Sequence, residues 1–222
     1  NWLTPAVINF PTVCLIVSGG HSDLVLMKNH GDYTLLGRTR DDASGEAFDK
    51  VAKFLDLGYA NRNTGGGRVI DELSKQGNKK AFNFPRPMLR SKNLDFSFSG
   101  LKTSVINMFK EQIARGESLP LADISASFQE AVVDVLVSKT LRAAEEKNVK
   151  VISVTGGVSA NSRLRASFEE KCREKGIAVF FPPLSLCTDN AAMVAAAGYA
   201  HLQRGEFSDL RLDVLPNAPL GV

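Results

Sequence analysis

Residues 13–27 read VCLIVSGGHSDLVLM, two apolar runs joined by the short turn Ser18-Gly19-Gly20-His21. Apolar runs on either side of a short glycine-bearing turn predict a β-hairpin. A hairpin that only reverses the chain is well served by Asn-Gly or Asp-Gly. Paired glycines between a serine and a histidine also suit a small backbone nest for an anion. The sequence leaves both interpretations open, an ordinary tight turn and an anion-binding turn.

The composition is that of an ordinary globular protein, with 222 residues of which 44% are hydrophobic and 23% charged. This size suits one large domain or two small ones. The net charge of +3 permits a nucleic-acid partner without requiring one. Cys14, Cys172 and Cys187 are widely spaced, which predicts no disulfide framework or zinc knuckle and favours a reducing compartment. No membrane span or signal peptide is visible, and we expect a piece of a longer polypeptide.

The periodicity downstream of the hairpin predicts an α/β chain. A strand, a glycine-rich turn, a helix and a second strand follow one another from residue 151 to residue 181. Such a unit implies parallel strands joined by a right-handed crossover. We predict strands at 33–38, 151–155 and 177–181, and helices at 45–57, 101–115, 122–147, 162–175 and 191–204. Asp42 or Ser44 is expected to cap the first of these helices, and Gly58 to end it.

Two further glycine-rich stretches have more than one interpretation. Residues 156–161, GGVSAN, lead from a strand into a helix, where backbone N–H groups favour a phosphate or a nucleotide. The stretch matches neither a dinucleotide fingerprint nor a P-loop. Residues 59–68, YANRNTGGGR, suit either a flexible link or a second loop of close approach.

Two aspartates and one irregular segment also leave alternatives open. Asp49 falls on the polar face of its predicted helix and suits a solvated surface. Asp189 stands at the start of the last helix, where it suits an N-cap or a carboxylate aimed at a metal or phosphate. Residues 81–104 interleave phenylalanines with cations, a pattern that suits single-stranded RNA or a loop anchored in the core. The phenylalanines are Phe82, Phe84, Phe96 and Phe98.

Five motifs in order, VSGGHS, DDASGEAFDK, LDFSFSGLKT, TGGVSAN and CTDNAAM, closely resemble the TsaD family. This family of tRNA threonylcarbamoyladenosine synthase subunits includes the KEOPS counterpart and was once described as a glycoprotein endopeptidase. The resemblance implies an α/β, actin-like ATPase fold with two ribonuclease-H-like halves. It assigns residues 1–40 to a remnant of the first half, 41–120 to a helical and irregular insert, and 121–222 to the second half. Most of the first half is then missing.

The resemblance implies an acyltransferase that moves a threonylcarbamoyl group from threonylcarbamoyl-AMP to tRNA. The acceptor is the exocyclic amine of the adenosine 3′ of the anticodon, in tRNAs that read codons beginning with A. The donor is a mixed anhydride with AMP as leaving group, so the site must polarise a carbonyl and neutralise a phosphate. Implied partners are tRNA and proteins like TsaB and TsaE or the KEOPS subunits, in the cytoplasm or an organelle.

The same resemblance carries the family's binding residues onto this chain. The residues that match the donor-binding loop are Ile16, Val17, Ser18, Gly19, Gly20 and His21. Asp49 matches a ligand-binding carboxylate, and Gly67 and Asp71 match positions at the donor's nucleotide. Asn161 matches a position on the adenosine side. The stretch 59–68 is a few residues longer than the corresponding family stretch and lacks its prolines. The match of Gly67 therefore falls where this sequence departs from the family pattern.

Asp189 matches the family's catalytic metal-ligand aspartate, which implies one divalent metal, iron, with zinc as the alternative. The family's H-x-x-x-H pair lies upstream of the hairpin and is absent from this sequence. His21 and His30 do not have the i, i+4 spacing of that pair. We therefore expect this chain alone to hold the metal weakly and to be inactive.

Two other functions remain to be weighed against the transferase. A non-catalytic paralogue that scaffolds a tRNA-modification complex would need neither Asp49, Asn161 nor Asp189. A metallopeptidase has no support, since no H-E-x-x-H motif is present.

Overall fold

A computed structural model describes residues 1–57 and 65–213. The strands are β1 Thr12–Val17, β2 Ser22–Asn29, β3 Asp32–Arg38, β4 Val151–Thr155 and β5 Ala178–Phe180. The helices are α1 Ser44–Phe54, α2 Gly66–Ser74, α3 Ser99–Ala114, α4 Leu121–Glu146, α5 Ser162–Glu174 and α6 Ala191–Gln203. The hairpin and the predicted helices and strands are confirmed to within a few residues. Gly58, most of the 59–68 loop and the tail beyond residue 213 lie outside the described residues.

The five strands form one sheet in the order β3-β2-β1-β4-β5. The hairpin strands β1 and β2 are antiparallel, with Val17 opposite Ser22. On its other edge β1 is parallel to β4, with Ile16 opposite Thr155. The strand β4 is parallel to β5, as the strand-turn-helix-strand pattern predicts. The first strand of the chain is therefore the centre of the sheet.

This topology differs from the division of the chain that the motif resemblance implies. We expected residues 1–40 and 121–222 in separate halves of the fold. Instead β1 and β4 are hydrogen-bonded neighbours in a single sheet. The motifs could not reveal this pairing because it joins residues nearly 140 positions apart, for example Val13 and Ile152.

The alternation of β1 explains why both faces of the sheet are covered. Val13, Leu15 and Val17 are fully buried in the main core, where α4 contacts β1, α2 and α5. The intervening Cys14 faces a smaller cluster completed by the N-terminal segment. The other members of that cluster are Val25, Met27, Trp2, Phe10, Ile16 and Tyr33. None of the described helices is long and apolar enough to cross a membrane.

The phenylalanines of 81–104 are core anchors and not a stacking surface for RNA bases. Phe96 and Phe98 have no exposed surface and Phe84 is 4% exposed. The ring of Phe82 stacks on that of Phe84, and Phe82 packs against the main core. A base could not stack on rings that are buried in this way. The RNA-stacking interpretation is therefore wrong for Phe84, Phe96 and Phe98. The result does not bear on the neighbouring cations.

The start of α1 is closed differently from the prediction. Its N-cap is Ala43, so neither Asp42 nor Ser44 has that role. The Glu46 carboxylate accepts a hydrogen bond from the Ala43 amide at 3.3 Å. Ser44 lies inside the helix, and its buried hydroxyl accepts from that of Ser22 at 3.0 Å. The contact ties the first turn of α1 to β2, close to the glycine turn.

Candidate functional site

The glycine turns of the two motifs lie side by side at one edge of the sheet. The strands β1 and β4 are parallel neighbours, so the turns that follow them, at residues 18–21 and 156–161, emerge at the same edge. Gly156 has a φ of 93° and packs against the carbonyl of Val17. A side chain at this position would overlap that carbonyl, so only glycine fits. The structure thus brings Ile16, Val17 and the two turns together.

The hydroxyl of Ser18 occupies the centre of the first turn. It accepts hydrogen bonds from the amides of Gly20 at 3.3 Å and His21 at 3.1 Å. The turn is closed by a hydrogen bond of 2.9 Å from the Ser18 amide to the His21 carbonyl. Two of the amides that an anion nest would offer are therefore already bonded within the turn.

Gly19 and Gly20 have no structural reason to be glycine within the described residues. A Cβ at either position would meet no atom within 4 Å, and neither residue has a left-handed φ. Gly45 is different, because its Cβ would come within 2.5 Å of the Ser18 carbonyl oxygen. The absence of side chains at Gly19 and Gly20 therefore keeps the outer surface of the turn open.

Asp49 is held by the N-terminus of a neighbouring helix. One of its carboxylate oxygens accepts a hydrogen bond of 2.7 Å from the amide of Gly66, the first residue of α2. A Cβ on Gly66 would lie 2.7 Å from the Asp49 Cα, so glycine permits the two helices to approach. A Cβ on Gly67 would lie 3.7 Å from the Cβ of Phe48, an ordinary contact distance, so packing does not require glycine there. Asp49 is half-buried and hydrogen-bonded, so the alternative of a solvated surface carboxylate is wrong. Its role as a ligand-binding carboxylate stays a prediction.

Asp71 and Asn161 both bind the N-terminus of α5. Asp71 is 8% exposed, and its two oxygens accept from the hydroxyl and the amide of Ser162, at 2.8 and 3.1 Å. Asn161 is the N-cap of α5 and accepts from the Leu164 amide at 2.9 Å. Its amide nitrogen donates to the side-chain oxygen of Gln129 at 2.6 Å. The bonds to the amides of Ser162 and Leu164 satisfy donors that have no partner within the helix at its start.

The three predicted ligand residues therefore form a series of helix-to-helix contacts. Asp49 joins α1 to α2, Asp71 joins α2 to α5, and Asn161 joins α5 to α4. Their positions are fixed by hydrogen bonds within the chain, and part of the bonding capacity of each is used there. The arrangement holds the elements around the glycine turns at fixed relative positions.

Asp189 lies in an exposed segment between a short 3₁₀ turn and α6. The N-cap of α6 is Asn190, which accepts from the Met193 amide at 3.0 Å, so the capping interpretation of Asp189 is wrong. Within residues 1–57 and 65–213, the carboxylate of Asp189 makes no hydrogen bond or ion pair. No residue that the structure describes therefore uses this carboxylate.

The residues present do not make a complete metal site. No group of three or more histidine, cysteine, aspartate or glutamate side chains in the described parts of the chain could hold a metal ion. His30 lies edge-on to the rings of Trp2 and Phe10, and His201 is paired with Glu206. Asp189 is one carboxylate, whereas a tightly bound iron or zinc requires three or four ligands.

Two residues that the sequence did not identify hold this region together. Arg165 donates to the carbonyls of Ser159 and Pro182, each at 2.7 Å, and joins the second glycine turn to the segment that leads to Asp189. Gln129 is 4% exposed within the apolar stripe of α4. A polar residue in such a stripe is the signal that could have identified it, since buried amides need partners.

Two surface cavities lie away from the glycine turns. One cavity of about 750 Å³ is lined by Asn83, Phe84, Pro85, Arg86, Met88, Leu89, Arg90, Ser91 and Ser104. A second of about 340 Å³ is lined by Lys79, Lys80, Phe82, Asn83, Arg86, Glu130 and Asp134. Neither cavity is lined by a residue of the glycine turns.

Comparison with known proteins gives the same family over most of the chain. Residues 1–196 match the family model described as TsaD, tRNA N6-adenosine threonylcarbamoyltransferase. A relative of that name from Clostridioides difficile is 48% identical over 217 residues, which is 98% of this chain and 63% of the relative. Relatives of the same name from Clostridium botulinum and Thermosipho africanus are 49% and 48% identical. The chain spans about three fifths of the length of these relatives.

Solved structures agree on the fold. The crystal structure of HypF from T.kodakarensis superposes with a TM-score of 0.66 over 88% of this chain and 34% of that chain, at 14% identity. A full-length HypF in a phosphate- and nucleotide-bound form gives a TM-score of 0.56 at 12% identity. The expected fold class, α/β of the actin-like ATPase type, is confirmed.

Proposed function

Because the chain belongs to the TsaD family of tRNA N6-adenosine threonylcarbamoyltransferases, we propose that the protein that contains it transfers a threonylcarbamoyl group to tRNA. The donor is threonylcarbamoyl-AMP, and the acceptor is the exocyclic amine of the adenosine 3′ of the anticodon, in tRNAs that read codons beginning with A. The reaction takes place where tRNA is matured, in the cytoplasm or an organelle, with proteins like TsaB and TsaE or the KEOPS subunits as partners.

One observation carries this proposal. The two glycine turns and the segment that contains Asp189 come after the parallel strands β1, β4 and β5, at the same edge of the sheet. Open sheets of parallel strands bind ligands at the carboxyl ends of the strands. No contact among the described residues requires glycine at Gly19 or Gly20, and the absence of side chains there leaves room for a ligand. The edge therefore has both the position and the steric opening that a nucleotide-like donor requires.

The transfer requires that the donor and the acceptor amine are oriented toward each other and that the negative charge of the donor phosphate is compensated. The acceptor amine attacks the carbamoyl carbon, the bond to the phosphate oxygen breaks, AMP leaves, and the amine loses one proton. We propose that the turn 18–21 lies against the donor, and that His21 and the second oxygen of Asp49 orient it. Gly67 and Asp71 lie on the nucleotide side and Asn161 on the adenosine side. The second role of Asp71 and Asn161, in capping α5, keeps these positions fixed.

The metal belongs to the proposal for the longer protein only. Asp189 would be its single ligand from this chain, with the remaining ligands supplied from elsewhere in the polypeptide, and iron or zinc as the ion. Because the described residues do not complete the site, no step of the reaction is assigned to the metal here.

The scaffold alternative gains support from one observation. Asp49 and Asn161 have structural roles in the contacts between helices, so a non-catalytic paralogue would also need them. Asp189 is then the residue that discriminates, because no capping or packing role accounts for its carboxylate.

The test replaces the full-length protein in cells by variants and measures threonylcarbamoyl-adenosine in purified tRNA by mass spectrometry. We expect Asp189→Ala to lower the modified fraction by on the order of 100-fold, which corresponds to the several kcal/mol that a charge-stabilising ligand set supplies. Asp209→Ala, an exposed aspartate paired with Arg211, is the matched control and should modify normally. Normal modification by Asp189→Ala would favour the scaffold.

A further inference from the structure

The positive charge of this protein is concentrated in one segment. Residues 75–93, here called the basic loop, contain six cations and no acidic residue, in a chain whose total charge is +3. The cations are Lys75, Lys79, Lys80, Arg86, Arg90 and Lys92. The rest of the chain is therefore net negative. Segregation of this kind creates a local positive potential that attracts anions.

Half of these cations are neutralised by neighbouring elements. Lys75 pairs with Glu72, Lys79 with Glu130 and Arg86 with Asp134. The other three, Lys80, Arg90 and Lys92, are exposed, and no carboxylate within the described residues lies within ion-pair distance of them. These three remain available for an external anion.

The basic loop is held in place by two further cations beneath it. Lys139 is 1% exposed and donates to the Ser91 hydroxyl at 3.0 Å and to the Asn93 carbonyl at 3.1 Å. Arg142 donates to the carbonyls of the same two residues, at 2.8 Å to Ser91. Desolvation, with the nearby charge of Arg142, lowers the pKa of Lys139 to about 8. An ordered loop loses little conformational entropy when it binds a partner.

The surface beside the basic loop is concave and extended. The two cavities of about 750 and 340 Å³ are adjacent, since Asn83 and Arg86 line both of them. Lys80 lines one of these cavities and Arg90 the other. Cations along an extended groove suit a chain of phosphates better than a single small anion.

We propose that the basic loop binds the sugar-phosphate backbone of the tRNA substrate through Lys80, Arg90 and Lys92. The inference rests on the proposed function, which supplies an RNA partner. Phe84 is buried, and Phe82 is stacked on it and packs against the main core, so the proposed contact is with phosphates and not with stacked bases. Lysine and arginine contacts to phosphates position a nucleic acid without reading its sequence. The loop thus fixes the tRNA, while the glycine-turn edge holds the reacting groups.

The test measures binding of unmodified tRNA to the full-length protein by fluorescence anisotropy. The salt concentration is varied from about 50 to about 300 mM, because affinity that comes from phosphate contacts falls steeply over such a range. The variant is Lys80→Glu/Arg90→Glu/Lys92→Glu. We expect its Kd to rise by about 10- to 100-fold. The slope of log Kd against log salt should become shallower by the amount that about three phosphate contacts contribute. The control, Lys28→Glu/Lys53→Glu/Lys150→Glu, changes the same charge at exposed lysines outside the loop and should bind as the wild type does.

The outcomes separate this proposal from the proposed function. Equal losses in the two variants, or none in either, would overturn the assignment of the basic loop. If the triple variant of the basic loop bound tRNA as the wild type does but no longer bound an acidic protein, the loop would be a protein-binding surface and the proposal would be overturned. If the wild type binds tRNA through the loop but yields no threonylcarbamoyl-adenosine in the cellular test, the proposed function fails while the RNA surface remains.

Discussion

Arg165 shows how one side chain organises a region that no motif identified. Besides its two carbonyl contacts, its guanidinium lies 4.8 Å over the ring of Phe181 and donates to the sulfur of Cys187 at 3.4 Å. Its described partners include no carboxylate, so the contacts depend on the planar fork of the guanidinium and not on charge pairing. Arg165 is a positioning residue, because it acts on the segment that carries Asp189.

We expect both Arg165→Lys and Arg165→Met to loosen residues 182–190, since a lysine ammonium cannot span two carbonyls and an aromatic face. Hydrogen exchange of that segment should accelerate, and tRNA modification by the full-length protein should fall by tenfold or more, on the order of what misplacement of a reactive group costs. The control is Arg211→Met, which removes an exposed arginine. Unchanged exchange in Arg165→Lys would contradict the positioning role.

Substitution by alanine should change the free energy of unfolding much more at Gly156 than at Gly19. Gly156→Ala should lower the free energy of unfolding by roughly 2 kcal/mol or more, because its φ is left-handed and its Cβ would overlap the Val17 carbonyl. Gly19→Ala should change the free energy of unfolding by no more than about 0.5 kcal/mol, because no atom of the described residues lies within 4 Å of the added methyl group. Urea denaturation measures both values.

The functional half of this prediction concerns Gly19 alone. In the full-length protein, Gly19→Ala should lower tRNA modification although the fold is intact, since the methyl group occupies the opening beside the turn. Full activity together with full stability would show that the glycine has no role in binding.

At the scale of elements, Asp41 caps a helix from outside it. The N-cap of α3 is Phe98, whose side chain cannot accept a hydrogen bond. The Asp41 carboxylate takes that role, accepting from the Phe98 amide at 2.8 Å and from the Ser99 hydroxyl at 2.7 Å. Desolvation would raise the pKa of Asp41, but the hydrogen bonds from Ser97, Phe98 and Ser99 outweigh it and lower the pKa. The charged form is therefore favoured by folding.

The prediction for Asp41→Ala follows from this cap. We expect a loss of about 1–2 kcal/mol in the free energy of unfolding at neutral pH, the usual value of an N-cap. A lowered native pKa adds stability above the unfolded value of about 3.9, and this stability is lost as pH falls through the native pKa. The gap between wild type and variant in thermal denaturation should therefore narrow below about pH 4. A gap that stays constant with pH would contradict the role of the charge.

At the scale of the molecule, α6 has no buried residue. Val194 is 66% exposed and Tyr199 61%, in a helix composed almost entirely of apolar side chains. Contiguous exposed apolar surface of this kind promotes association. The helix is well formed at both ends, so its exposure does not come from a failure of local structure.

We expect the 222-residue chain, expressed by itself, to associate in a concentration-dependent way that sedimentation velocity detects. Val194→Lys/Tyr199→Lys should shift the distribution toward the monomer, because the charges break the apolar surface. The control is Val7→Lys, at an isolated valine that is 78% exposed in the N-terminal segment. A wild-type chain that stays monomeric over the whole concentration range would contradict the prediction.

The sequence by itself determined the local elements and the family. Apolar alternation and helical periodicity reproduced β1, β4 and α5 to within a residue or two, because those patterns record which side of an element is buried. The ordered motifs also led to the family that the comparisons confirm. In residues 81–104 the sequence left both RNA stacking and core packing open, since both use the same phenylalanines.

Only the tertiary structure decided what the candidate site residues contact. The pairing of β1 with β4 and the bonds of Asp71 to Ser162 and of Asn161 to Gln129 join positions that are far apart in the chain. Periodicity reports whether a side chain is buried but not which distant amide or carbonyl satisfies it. The sequence therefore indicated that the glycine turns and the carboxylates matter. Packing decided that the turns lie side by side, that three predicted ligands connect helices, and that Asp189 keeps a free carboxylate.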